Sequence, residues 1–79
     1  MLPPLSETAK NFRFGLYEHY KGGQYRAREI AVHHDTLEEW VVYQGLYGDN
    51  RHFIRPLEMF LESVEVDGVV KPRFRYIGE

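Results

Sequence analysis

The chain has 79 residues, enough for one domain with a modest core. Its hydrophobic fraction of 43% excludes a disordered chain, and a formal net charge of -2 gives no general support for nucleic-acid binding. With no cysteine, disulfides, thiolate metal sites and cysteine nucleophiles are excluded, and a reducing cytoplasm is compatible.

In chain order, Met1-Leu2-Pro3-Pro4-Leu5 lacks a basic segment followed by an apolar stretch, so it does not read as a secretory signal. No run approaches the ~18 apolar residues of a membrane span, and a cytoplasmic protein with no membrane partner is expected. Residues 1–11 read as a flexible tail that is mobile or packs late. Ser6-Glu7-Thr8 caps at most one helical turn, too short to stand alone. From Phe12 to Tyr20 the pattern is period two, with Phe12, Phe14, Leu16 and Tyr20 set against Tyr17 and His19. Lys21-Gly22-Gly23 supplies a tight turn. Neither face of Gln24–Val32 is cleanly apolar, which predicts a curved strand that changes its buried face partway.

His33-His34-Asp35-Thr36 is a polar break. Trp40–Tyr47 is the strongest strand, with Val41, Val42 and Leu46 as core and Gly45 marking a bulge or a close backbone approach. Gly48-Asp49-Asn50 turns the chain into a short strand, Arg51–Arg55. Pro56 then opens a helical turn with Leu57, Phe60 and Leu61 on its apolar side. Val64 and Val66 alternate before the hairpin signal Asp67-Gly68, and Arg73–Ile77 alternates again. Five or six short strands, tight turns and one helical turn predict a small, mostly antiparallel barrel or sandwich, with residues 12–79 as the domain.

The motifs Gly15-x-Tyr17-x-His19-Tyr20-Lys21-Gly22, Val41-Val42-Tyr43-x-x-Leu46-Tyr47-Gly48-Asp49, Arg55-Pro56-Leu57-x-Met59-Phe60 and Pro72-Arg73-Phe74 resemble the bacterial domain-of-unknown-function family 1653. The resemblance runs from Gly15 to Ile77. It implies a mostly β fold, a small Src-homology-3-like antiparallel barrel, and no particular activity. The family often carries tryptophan where this chain has Phe53, so an aromatic is kept.

Several constellations invite a chemical reading. His33, His34, Asp35, Asp49 and His52 suggest a metal site, but adjacent histidines on an extended chain point to opposite sides, and turn residues on solvated loops are the simpler reading; no metal and no cofactor is expected. Arg73 and Arg75 share one strand face, where glutamates supply counter-charges for a salt-bridged surface. Arg55, beside the rigid Pro56, is placed to pair with Asp49 or Glu58; left unpaired beside a tyrosine it would be an anion site. No nucleophile elbow, phosphate loop or dinucleotide fingerprint is present, and no catalytic residue is assigned.

The aromatic fraction of 15% is mostly core, although tyrosines also suit binding surfaces. The leading expectation is a non-enzymatic binding module that takes a peptide, nucleic acid or small anion on a surface lined by Tyr17, His19, Tyr43, Tyr47, His52, Arg55 and Arg73. An enzyme using His19, His33 or His52 as acid or base is a second reading. A homodimer built through an exposed strand edge is a third.

Overall fold

The computed structural model describes residues 2–79. Its elements are α1 (Glu7–Lys10), β1 (Gly15–His19), β2 (Gln24–Val32), β3 (Glu39–Gly45), β4 (His52–Pro56), α2 (Leu57–Phe60), β5 (Ser63–Val66), β6 (Val69–Pro72) and β7 (Phe74–Gly78). The fold is mostly β. A five-stranded antiparallel sheet runs in the order β4-β3-β2-β1-β7, and β5 and β6 form a separate two-stranded sheet. Among the described residues there are seven strands where five or six were expected, and two helical turns where one was. The five-stranded sheet does not close: β4 and β7 are its edges.

Local chemistry accounts for the turns. Asp67 and Gly68 have φ of 52° and 80°, the left-handed pair that a two-residue hairpin needs between β5 and β6. The β2–β3 register shifts between Ala27 and Glu29, and this irregularity is where β2 exchanges its buried face. At Gly45 a Cβ would sit 3.1 Å from the Tyr47 ring and 3.3 Å from the Phe53 ring, so two aromatics pack on the bare backbone there. β3 ends at that residue, which leaves Leu46 41% exposed and not in the core.

The core lies on one face of the large sheet. It comprises Ala9, Phe12, Tyr17, Ala27, Val41, Tyr43, Leu57, Phe60 and Phe74. The inward face of β1 is therefore the Tyr17 and His19 face. Phe12 reaches the core from the segment before β1, while Phe14 is exposed and Leu16 half-buried. Within the segment expected as a flexible tail, residues 6–11 form a capped helical turn with Ala9 buried. Its anchor is Glu39, whose carboxylate accepts from the Ser6 N–H at 2.8 Å and the Ser6 hydroxyl at 2.6 Å. At α2, Leu57 and Phe60 face inward and Leu61 outward. No helix among the described residues is long and apolar enough to cross a membrane.

Candidate functional site

Cross-strand register places the functional side chains. Tyr76, Tyr17, Tyr25 and Gly45 form one row across β7, β1, β2 and β3. Ala27, Tyr43 and Phe53 form the next row, and His19 pairs with Phe74. Residues in such rows share a face. Phe12 and Phe60 pack over part of this face through their contacts with Tyr17, Tyr43 and Phe74. Beyond that cover lies a partly exposed group comprising His19, Tyr25, Tyr47, Phe53, Arg55 and Arg73.

The floor of the group is aromatic. Tyr25 meets Tyr43, Tyr47 and Phe74 edge-on, with ring centroids 5.5, 5.5 and 5.7 Å away. The Tyr25 and Tyr47 hydroxyls are 2.7 Å apart and share one hydrogen bond. Burial, and next the bond to Tyr47, push the Tyr25 hydroxyl up to about 12, so it stays protonated. The His19 ring stands edge-on to Phe74 at 4.9 Å. Its Nδ1 accepts the Lys21 N–H at 3.1 Å, so the neutral ring carries its proton on Nε2 and offers a donor there. Burial, followed by the charges of Arg55, Arg73 and Lys21, lowers the His19 pKa.

Arg55 is half-buried, with its guanidinium 5.6 Å from the centre of the Phe74 ring. The expected pairing with Asp49 or Glu58 does not form. Asp49 binds Arg51 at 2.7 Å across the tight turn, and Arg55 takes part in none of the ion pairs among the described residues. Its charge acts on both His19 and Tyr25. Arg73 is different: its side chain is 20% exposed and bound to Glu62 at 3.0 Å, although its buried Nε has no partner. Arg75 is bound to Glu18 at 2.7 Å, so Arg73, just before β7, and Arg75 within it are both salt-bridged.

Of the residues expected at the site, His19, Tyr47, Arg55 and Arg73 gather around Phe74 and Tyr25. Tyr17 and Tyr43 share the face but are core residues, 5% and 4% exposed, and the Tyr17 hydroxyl donates to the Arg13 carbonyl at 2.6 Å. His52 leaves the group altogether, since it lies in register with Gln44 and alternates with Phe53 to the opposite face. Tyr25 was not anticipated. Its position two residues after Gly22-Gly23, on the Ala27 face of the strand, was the available signal.

The model of a protein family of unknown function, DUF1653, matches residues 15–76. The chain belongs to the DUF1653 family. The matched span contains every residue of the site and leaves out α1. Among solved structures, the chain is similar to the crystal structure of a DUF1653 protein from Bordetella bronchiseptica, with 38% identity and a TM-score of 0.81. That likeness covers 89% of this chain and 92% of the other. A comparison with proteins of curated function gave no match.

The histidines of this DUF1653 chain do not converge. His19 lies at one end of the β1–β2 hairpin. His33 follows the far end of the nine-residue β2, roughly 30 Å of strand away, and its Nδ1 accepts the Asp35 and Thr36 N–H groups. His52 is on the other sheet face. Among the described residues, no three His, Asp or Glu side chains stand close enough to hold a metal ion.

Proposed function

We propose that this DUF1653 chain is a cytoplasmic, non-enzymatic binding module whose ligand presents an anionic group to Arg55. One observation carries the reading: Arg55 is half-buried against an aromatic ring, with no carboxylate partner among the described residues. A half-buried guanidinium without a counter-charge keeps donors free, and an incoming carboxylate or phosphate would bind them with charge-assisted hydrogen bonds. The Nε2–H of His19 and the Tyr25–Tyr47 hydroxyl pair supply neutral donors next to that charge. The reading takes residues 12–79 as one domain of Src-homology-3-like ancestry, opened at its β4 and β7 edges, and a cysteine-free composition suits a reducing cytoplasm.

Titration of isotope-labelled protein with inorganic phosphate and with acetate tests it. The Arg55 side-chain N–H signal and the His19 and Tyr25 ring signals are expected to move together. Arg55→Gln should weaken the response by about 10- to 100-fold, the loss of one charge-assisted interaction. Arg51→Gln should leave it unchanged, because that guanidinium is already bound to Asp49. Equal responses from the two variants would refute the assignment.

A further inference from the structure

The strand that carries Arg55 is also an open edge. β4 pairs with β3 alone. The Gly45 N–H donates to the Arg51 carbonyl at 2.9 Å, and the Leu46 N–H donates to the Gln24 carbonyl on β2 at 2.9 Å. In the antiparallel ladder, Phe53 and Arg55 therefore direct their backbone groups towards β3, as Arg51 does. His52 and Ile54 direct theirs outward. Pro56 occupies the next outward position, where the missing N–H costs no ladder bond, and it ends the edge. Two N–H and two C=O groups consequently face away from the sheet, on a strand whose Ile54 is 64% exposed.

Side chains alternate in the complementary sense. Phe53 and Arg55 lie on the face of the candidate site and His52 and Ile54 on the other. A strand added beside β4 would set every second side chain on the Arg55 face, with the directly opposed one about 5 Å from Arg55. We propose that the free edge of β4 takes an extended acidic peptide segment of a partner protein, with an aspartate or glutamate of that segment bound to Arg55. This rests on the reading of Arg55 as the anion site and adds the class of ligand.

Charge complementarity selects this occupant. Arg51-His52-Phe53-Ile54-Arg55 contains no acid, and Arg55 has no ion-pair partner among the described residues. A second copy pairing β4 with β4 about Ile54 would bring two Arg55 side chains to about 7–8 Å on one face, a like-charge contact. It would also align His52 with Pro56, which has no N–H to give. An acidic segment meets neither difficulty, and its backbone bonds the edge while its carboxylate satisfies the guanidinium.

Amide hydrogen exchange tests this with two capped heptapeptides, one alternating valine and glutamate and one alternating valine and lysine. The glutamate peptide is expected to slow exchange at His52 and Ile54 by at least tenfold, and the lysine peptide to leave it unchanged. Ile54→Pro removes an outward N–H without touching Arg55, so it should abolish the protection while keeping the phosphate response of the side-chain signals. Arg55→Gln should lose both. If phosphate still moves Arg55 but the glutamate peptide gives no protection, the edge proposal fails and the anion site stands. If phosphate does nothing either, both fail. Protection that rises with protein concentration in the absence of peptide would assign the edge to a second copy and overturn the proposal.

Discussion

Because Nδ1 of His19 is committed to the Lys21 N–H, a proton arriving on the ring would replace an acceptor with a donor at a 3.1 Å contact. It would also add a cation beside Arg55, Arg73 and Lys21. Burial acts in the same direction, so the folded pKa lies below the ordinary 6.5. The sign of the linkage follows. Above about pH 6.5 both folded and unfolded chains hold His19 neutral, and its contribution to stability is fully present. As the pH falls below that value the unfolded chain takes up the proton first, and stability declines until the folded pKa is passed. Urea unfolding from about pH 7 to about pH 5 should show a falling midpoint, with a shallower fall for His19→Gln. Parallel curves for the two proteins would rule His19 out as the source. The same neutrality has a functional consequence: near pH 7 the ring serves an incoming anion as a hydrogen-bond donor, while the charge comes from Arg55.

At the scale of elements, α1 shows how four helical residues persist although the segment is far too short to hold a helix alone. The Ser6 hydroxyl accepts the Ala9 N–H at 3.1 Å and donates to Glu39, a residue 33 positions away, while the Ser6 N–H binds the other oxygen of that carboxylate. The two Ser6 bonds hold the Glu39 carboxyl below its ordinary range, so the contribution of this anchor is present above about pH 4.5 and fades as the pH falls further. Ser6→Ala should cost about 1 kcal/mol. Exchange should accelerate at Lys10 and Asn11, whose N–H groups donate to Ser6 and Glu7, and remain unchanged in β3. Acceleration spread through the sheet would mean that α1 is integral to the fold and not a strap on it. The anchor was invisible in the sequence because a cap is local but its partner is not. Turns fared better: Gly22-Gly23, Gly48-Asp49-Asn50 and Asp67-Gly68 carry their conformational reason within a few residues. The curved β2 was legible for the same reason, since its mixed faces record the bulge. The site was legible only in part. Arg55 was singled out, but its expected partner was lost because Asp49 closes on Arg51 across the turn. Tyr25 is not legible as a site residue because its importance arises from its cross-strand neighbours. The burial of Tyr17 and Tyr43 is not legible, because alternation reveals which residues share a face and not how deeply Phe12 and α2 cover that face.

Across the whole molecule, the core is a continuous aromatic network, and the same network supports the site. Phe60 on α2 stacks on Phe74 of β7 with centroids 4.1 Å apart and planes 4° from parallel. It also meets Phe12, Tyr17 and Tyr43 edge-on at 5.6, 5.1 and 5.3 Å. One ring thus joins the segment before β1, the strands β1, β3 and β7, and the helical turn after β4. Phe74 in turn lies beneath the Arg55 guanidinium and beside His19, so stability and the candidate site share a wall. For a chain of 79 residues the total stability is about 4–12 kcal/mol, and truncating a fully buried phenylalanine costs about 3–5 kcal/mol. Phe60→Ala should therefore remove a large share of that stability. Phe60→Leu should keep it folded, because most of the buried volume survives, yet remove the flat ring that holds Phe74. The informative measurement is the pairing of two readouts on the leucine variant. Thermal unfolding should show a moderate loss, and the Arg55 response to phosphate should weaken although residue 60 never touches the anion. A leucine variant that loses stability but keeps the full Arg55 response would show that the guanidinium is positioned by β4 alone, independently of the aromatic wall behind it.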